Sequence, residues 1–134
     1  MTTPMRLFSA LLLSALAAAS HADVAVIVHP DAPDTPSVAA VASIFLGLDR
    51  SLAPTDLQGW PAAREHFYRE LTRKNEGQLK SYWAARIFTG KGRPPRTVKD
   101  QSAMLDYVAS NPQAIGYVDS DALDERVQVL FILR

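Results

Sequence analysis

The stretch Thr89-Gly90-Lys91-Gly92-Arg93-Pro94-Pro95-Arg96 packs three cations and two glycines into eight residues. Such a composition could cradle a phosphate. Glycines let backbone N–H groups approach an anion, and a lysine supplies charge. The nucleotide-loop pattern G-x-x-x-x-G-K-[ST] tests the idea. With its Gly-Lys set on Gly90-Lys91, the first glycine falls on Ala85 and the magnesium-holding hydroxyl on Gly92. The residues before it read as helix, and Pro94-Pro95 blocks a helix after it. The stretch is therefore expected to follow a helix that ends at Gly90, with Lys91, Arg93 and Arg96 beyond the helix's negative end. Displayed there, these three are the candidate surface for a protein partner or an anion, with a merely solvated basic loop as the plain alternative.

Other chemistry is scarce. Beyond residue 22 the histidines are His29 and His66, far apart and in no H-x-x-x-H pair. They read as a loop histidine and a surface helix histidine, so no metal site is expected. No G-x-S-x-G turn occurs, and the serines have no neighbouring base in sequence, so nothing points to a hydrolase. Asp119, Asp121, Asp124 and Glu125 lack the glycine and terminal glutamate of a calcium loop and read as a solvated turn. The chain has no cysteine, which removes thiol nucleophiles, thiol metal sites and disulfides. No cofactor is implied. The feature best suited to an anion is the helix start after Gln58-Gly59-Trp60. Helix N-termini present free N–H groups and a positive dipole end. This one has no acid before Glu65 and carries Arg64. Gly59, Trp60 and Arg64 are thus candidate ligand-binding residues; an ordinary helix start without a ligand is the alternative.

These residues must be held by the elements around them. Val24-Ala25-Val26-Ile27-Val28 is a β-branched apolar run and reads as a buried strand. Thr35-Pro36 looks like a cap and first position of an amphipathic helix over 36–46, closed by Gly47. Residues 52–57 read as a short or edge strand because Pro54 interrupts them. Pro61 opens a second helix. Asn75-Glu76-Gly77-Gln78 has capping-box spacing and starts a third, with Leu79, Tyr82, Trp83, Arg86 and Ile87 on one face. Asp100 caps a fourth helix that Asn111-Pro112 stops. Residues 114–118 and 127–133 read as strands. Intermixed strands and helices predict an α/β layered fold, a central mixed sheet flanked by helices.

The start of the chain is set apart. Met1–Arg6 is short and basic, Leu7–Ala19 is apolar, and Ser20-His21-Ala22 places small residues before Asp23. This is the pattern of a cleavable signal peptide over 1–22, with residues 23–134 as one α/β domain. The apolar run is too short for a stable membrane span, which needs roughly 20 residues. Export without cysteines fits a bacterial periplasm. The chain's formal net charge is zero, yet residues 64–99 hold ten Lys/Arg against three Asp/Glu. A basic middle between acidic flanks could meet an anion or an acidic partner. Nucleic acid is not an expected partner for an exported chain of this balance.

Several segments together resemble a known family. "SIFLG" (43–47), "REHFYRELT" (64–72), "QLKSYWAARIFTGKGRPP" (78–95) and "NPQAIGYVD" (111–119) are similar to short periplasmic proteins related to the phosphate-binding component of ABC transporters. The resemblance covers nearly all of 23–134. It implies a type 2 periplasmic-binding-protein-like fold, of which this chain has the length of one lobe. It also implies a non-enzymatic protein that binds a small oxyanion such as phosphate, weakly or shared between chains. A homodimer would supply the other half of a cleft, and an ABC transporter or another envelope protein would be the partner. Full-length members carry an R-S-D-G-S-G-T loop whose hydroxyls and N–H groups hold the anion. The matching region here is 56–64, so the resemblance carries a binding role onto Asp56, Gly59 and Arg64. The hydroxyls of that loop are gone, and Pro61 removes a donor. The alternative function is a periplasmic protein-interaction module that kept the lobe and lost anion binding, using its basic middle.

Overall fold

Five consecutive apolar residues, Val24–Val28, form β1, and every one of them is fully buried. A strand apolar on both faces must be covered on both faces. The computed structural model shows how, for the residues it describes, 23–134. The expected signal peptide over 1–22 lies outside the described residues.

The elements follow in the order β1 (Val24–Val28), α1 (Val38–Phe45), β2 (Ala53–Leu57), α2 (Ala62–Thr72), α3 (Glu76–Phe88), β3 (Arg96–Val98), α4 (Gln101–Ser110), β4 (Ala114–Asp119) and β5 (Gln128–Leu133). The strands make one mixed sheet in the order β3-β2-β4-β1-β5. β2 runs parallel to both β3 and β4, while β1 is antiparallel to β4 and β5. The mixed α/β architecture is the one expected.

Helices cover the two faces. On one, α1 and α2 bring Phe45, Phe67 and Tyr68 against Tyr117 of β4. Phe67 stacks on Tyr117 with centroids 4.0 Å apart, and Phe45 meets Phe67 edge-on at 4.6 Å. On the other face α4 lies close to β4. A Cβ built on Gly116 would stand 2.5 Å from the Met104 sulfur and 3.2 Å from Val108, so glycine is what admits the helix. The connections explain the split. β2 leads through α2 and α3 to β3 on one side, and β3 leads through α4 back across to β4. Right-handed crossovers in opposite directions must leave on opposite faces.

Four local expectations are corrected. α1 starts at Val38, not at residue 36. Ser37 is its cap, its hydroxyl accepting from the Ala40 N–H at 3.2 Å, and Pro36 precedes the cap. β2 is an interior strand despite Pro54. The proline pairs with Ile115 on one side, and β3 joins only from Thr55 onward, so no ladder donor is required at Pro54. Residues 96–98, expected as loop, form β3. His66 is buried rather than on the surface, with Nε2 3.2 Å from the Leu133 carbonyl at the end of β5. The capping box of α3 is complete: Asn75 and Gln78 exchange side-chain-to-backbone bonds, each 2.9 Å.

Candidate oxyanion site

At the carboxyl ends of β2 and β3 the chain departs to opposite faces, into α2 and α4. Such a divergence leaves a crevice between the two helix starts, the usual place for ligands in open α/β sheets. Here the crevice is a cleft of about 440 Å³ lined by Leu57, Gln58, Pro61–Ala63 and Lys99–Ser102, with Asp119 at its side. The two helix starts differ. α4 is capped by its own Asp100, whose carboxylate accepts from the Ala103 N–H at 2.9 Å. α2 has Pro61 in the cap position and no side-chain cap. Its first N–H groups therefore carry no side-chain cap, and Ala62 and Ala63, which bear two of them, line the cleft. Lys99 is exposed beside them, and Ser102 adds a hydroxyl. Of the two lining acids, Asp100 serves α4 and Asp119 accepts from the Gln101 amide at 2.8 Å.

Behind this cleft lies a buried polar cluster. Asp56, on β2, is fully buried. Its carboxylate accepts from the Tyr68 hydroxyl at 2.6 Å, from the Leu57 N–H at 2.9 Å, and from the Tyr117 hydroxyl. Arg64 completes the set with an ion pair at 3.0 Å. The arginine also donates to the Gly59 carbonyl at 2.5 Å and lies over Trp60 and Tyr68, 5.1 and 5.6 Å from their centroids. Burial pushes the Asp56 carboxyl up from its ordinary value, against the pull of Arg64 and the hydrogen bonds. Burial, and then the charge of Asp56, push both tyrosines well up, so they remain donors.

The structure thus brings together the four residues singled out around the helix start, but it joins them to one another. Asp56, Gly59, Trp60 and Arg64 form one network across β2 and α2, and none of them lines the cleft. What the sequence reading missed is the contribution of the start of α4 and the residues leading into it: Lys99, Gln101 and Ser102 reach the site from some forty residues downstream. Their only sequence signal was the Asp100 cap, which marks a second helix start. The basic stretch lies elsewhere. Gly90 closes the carboxyl end of α3, and Arg93 and Arg96 sit at the amino ends of β2 and β3. A loop that follows a helix, rather than opening one, is not a nucleotide cradle.

Solved structures share this architecture. An ABC-type phosphate transport receptor from Vibrio cholerae superposes with a TM-score of 0.62 at 17% identity, over 81% of this chain and 46% of its own. A putative phosphate ABC transporter substrate-binding protein from Clostridium perfringens, solved with bound phosphate, gives 0.63 at 16% identity, over 81% and 45%. The fold is periplasmic-binding-protein-like. The chain spans less than half the length of these receptors, as one lobe of such a fold would. No protein-family model matches the chain, and no curated protein matches it. Among the described residues no helix is long and apolar enough to cross a membrane.

Proposed function

We propose that this chain is a non-enzymatic, periplasmic oxyanion-binding protein that holds phosphate, or an anion like it, in the cleft between the starts of α2 and α4. The observation that carries the reading is the uncapped start of α2, opening on a cleft at the carboxyl ends of two parallel strands. The anion would accept from the first N–H groups of α2, with Lys99 and Ser102 on the opposite wall. Asp56, Gly59, Trp60 and Arg64 support the site from behind by fixing the turn that delivers the helix. The residues described form one lobe, half of the enclosure that a two-lobed receptor could offer, so binding by this lobe alone is expected to be weak or completed by a second copy or a transporter subunit. The likeness to phosphate-transport proteins supports phosphate as the first ligand to test.

The test is thermal unfolding of the purified protein in phosphate, sulfate and chloride at matched ionic strength. A ligand present at ten times its dissociation constant stabilises by roughly 1.4 kcal/mol. For a chain of this size that is a rise of about 5 °C. Ala62→Pro removes one cleft donor at a position where proline suits the helix, and Lys99→Ala removes the cleft cation. Both are expected to keep the fold and lose the phosphate-specific rise. An equal response to all three salts, or variants that respond like the parent, would sink the reading.

A further inference from the structure

The basic stretch singled out in the sequence takes no part in the cleft. It lies at the other end of the sheet, where the amino ends of β2, β3 and β4 meet. A cavity of about 450 Å³ opens there between the loop joining α1 to β2 and residues 92–96. Arg93 and Arg96 line one wall. Arg50, more than forty residues earlier in the chain, lines the other. Among the described residues no carboxylate forms an ion pair with any of the three. The one acid in the lining, Asp49, already accepts from the Ser51 N–H at 2.8 Å. Arg96 rests over the Tyr107 ring, 5.1 Å from its centroid, which leaves its charge unneutralised.

The walls are fixed in place. Arg86 donates through one nitrogen to the Gly47 carbonyl at 3.3 Å and to the Lys91 carbonyl at 2.9 Å, which ties the two loops together. Gly47 has φ +73°, and a Cβ there would stand 3.0 Å from the Trp83 ring, so no other residue fits without a shift. Pro94-Pro95 stiffens the opposite wall. A pre-formed site loses less entropy on binding.

We propose that this cavity is the docking site for an acidic segment of a partner protein. The arginines choose the ligand class. Arg50, Arg93 and Arg96 are all exposed, with Arg50 on one wall and Arg93 and Arg96 on the other, a spread that suits a ligand carrying several separated charges. Carboxylates spaced along a chain can meet several guanidiniums at once, each contact being individually modest. Between the cations the lining offers apolar surface from Ala53, Pro54, Pro94 and Pro95 beside the polar Ser51 and Gln113. Apolar side chains alternating with the acids would fill it. Lys91, outside the lining, adds charge at the approach. The proposal does not depend on phosphate binding at α2.

Fluorescence anisotropy with the purified protein tests it. The probe is a fluorescein-labelled twelve-residue peptide in which Asp and Glu alternate with Leu and Pro; its counterpart carries Lys at the acidic positions. Saturable binding of the acidic probe alone is expected, weakening as salt rises. Arg50→Glu and Arg93→Glu should each weaken it about fivefold or more, since reversal replaces an attraction with a repulsion. Arg134→Glu makes the same charge change just beyond β5, at the opposite end of the sheet from the cavity, and should stay within about twofold, as expected for a merely long-range effect. No binding of the acidic probe would overturn the proposal, and so would an equal loss in all three variants. Displacement of the probe by inorganic phosphate, or by phosphatidylglycerol vesicles, as readily as by unlabelled peptide would also overturn it in favour of an anion or lipid site.

Discussion

Asp56 is the residue on which three elements converge. A fully buried carboxylate is tolerable only when its lone pairs are satisfied, and here two phenols, a backbone N–H and a guanidinium do so. Removing it strands Arg64 and both hydroxyls together. Asp56→Ala should therefore lose about 3–5 kcal/mol in urea unfolding, the range for breaking a buried pair. Tyr68→Phe, which removes one donor, should lose only about 1–2 kcal/mol. The pH dependence has a definite sign. Burial raises the Asp56 pKa in the folded chain, so the folded state binds that proton more tightly than the unfolded chain. The group's contribution to stability is full below the unfolded value and is lost as pH rises through the folded one. Carboxyl-carbon NMR should place its midpoint above the ordinary aspartate range; a midpoint below it would mean that Arg64 outweighs burial. The family resemblance gave Asp56, Gly59 and Arg64 a binding role. It could not show that Asp56 and Arg64 face each other, because two of the carboxylate's partners lie 12 and 61 residues away.

Elements were legible where their signals are local. The Asn75–Gln78 box closes within four residues and forms as read. Asn75→Ala should lower stability by about 1 kcal/mol, measurable in the same unfolding series. The strands β1 and β4 announced themselves by unbroken apolar runs, which need no partner to be recognised. β3 did not. Its three residues are mostly exposed, and its pairing with β2 joins residues about forty apart, so nothing nearby distinguishes it from the loop that leads into it. Pro54 misled for a related reason. Proline argues against an interior strand only where a ladder donor is needed, and that depends on where the neighbour begins. Gly116 shows the same dependence. In sequence it is a glycine inside a strand; in the fold it is the place where α4 approaches the sheet. Gly116→Ala should cost about 1–3 kcal/mol through overpacking against Met104 and Val108. Calorimetric unfolding would detect it as a lowered melting temperature.

The whole molecule divides its two candidate surfaces between the ends of one sheet. The cleft between α2 and α4 lies at the carboxyl end of β2, and the arginine-lined cavity lies at its amino end. β2 has five residues, so the two sites stand roughly 15 Å apart at about 3.3 Å per residue. That exceeds the screening length of about 8 Å at physiological salt, and a rigid strand offers no second arrangement for the sites to share. An anion at one end should therefore leave the other nearly unaffected. Saturating phosphate is expected to change the affinity for the acidic peptide by less than about twofold at 0.15 M salt, well below the roughly fivefold onset of recognised allosteric coupling. Anisotropy titrations with and without phosphate measure this directly. A coupling above fivefold would mean that the ends communicate, or that both ligands compete for the same cations. Repeating the titration in the Lys99→Ala variant separates the two. Competition for shared cations would persist in Lys99→Ala, whereas coupling that starts from phosphate in the cleft would vanish with it.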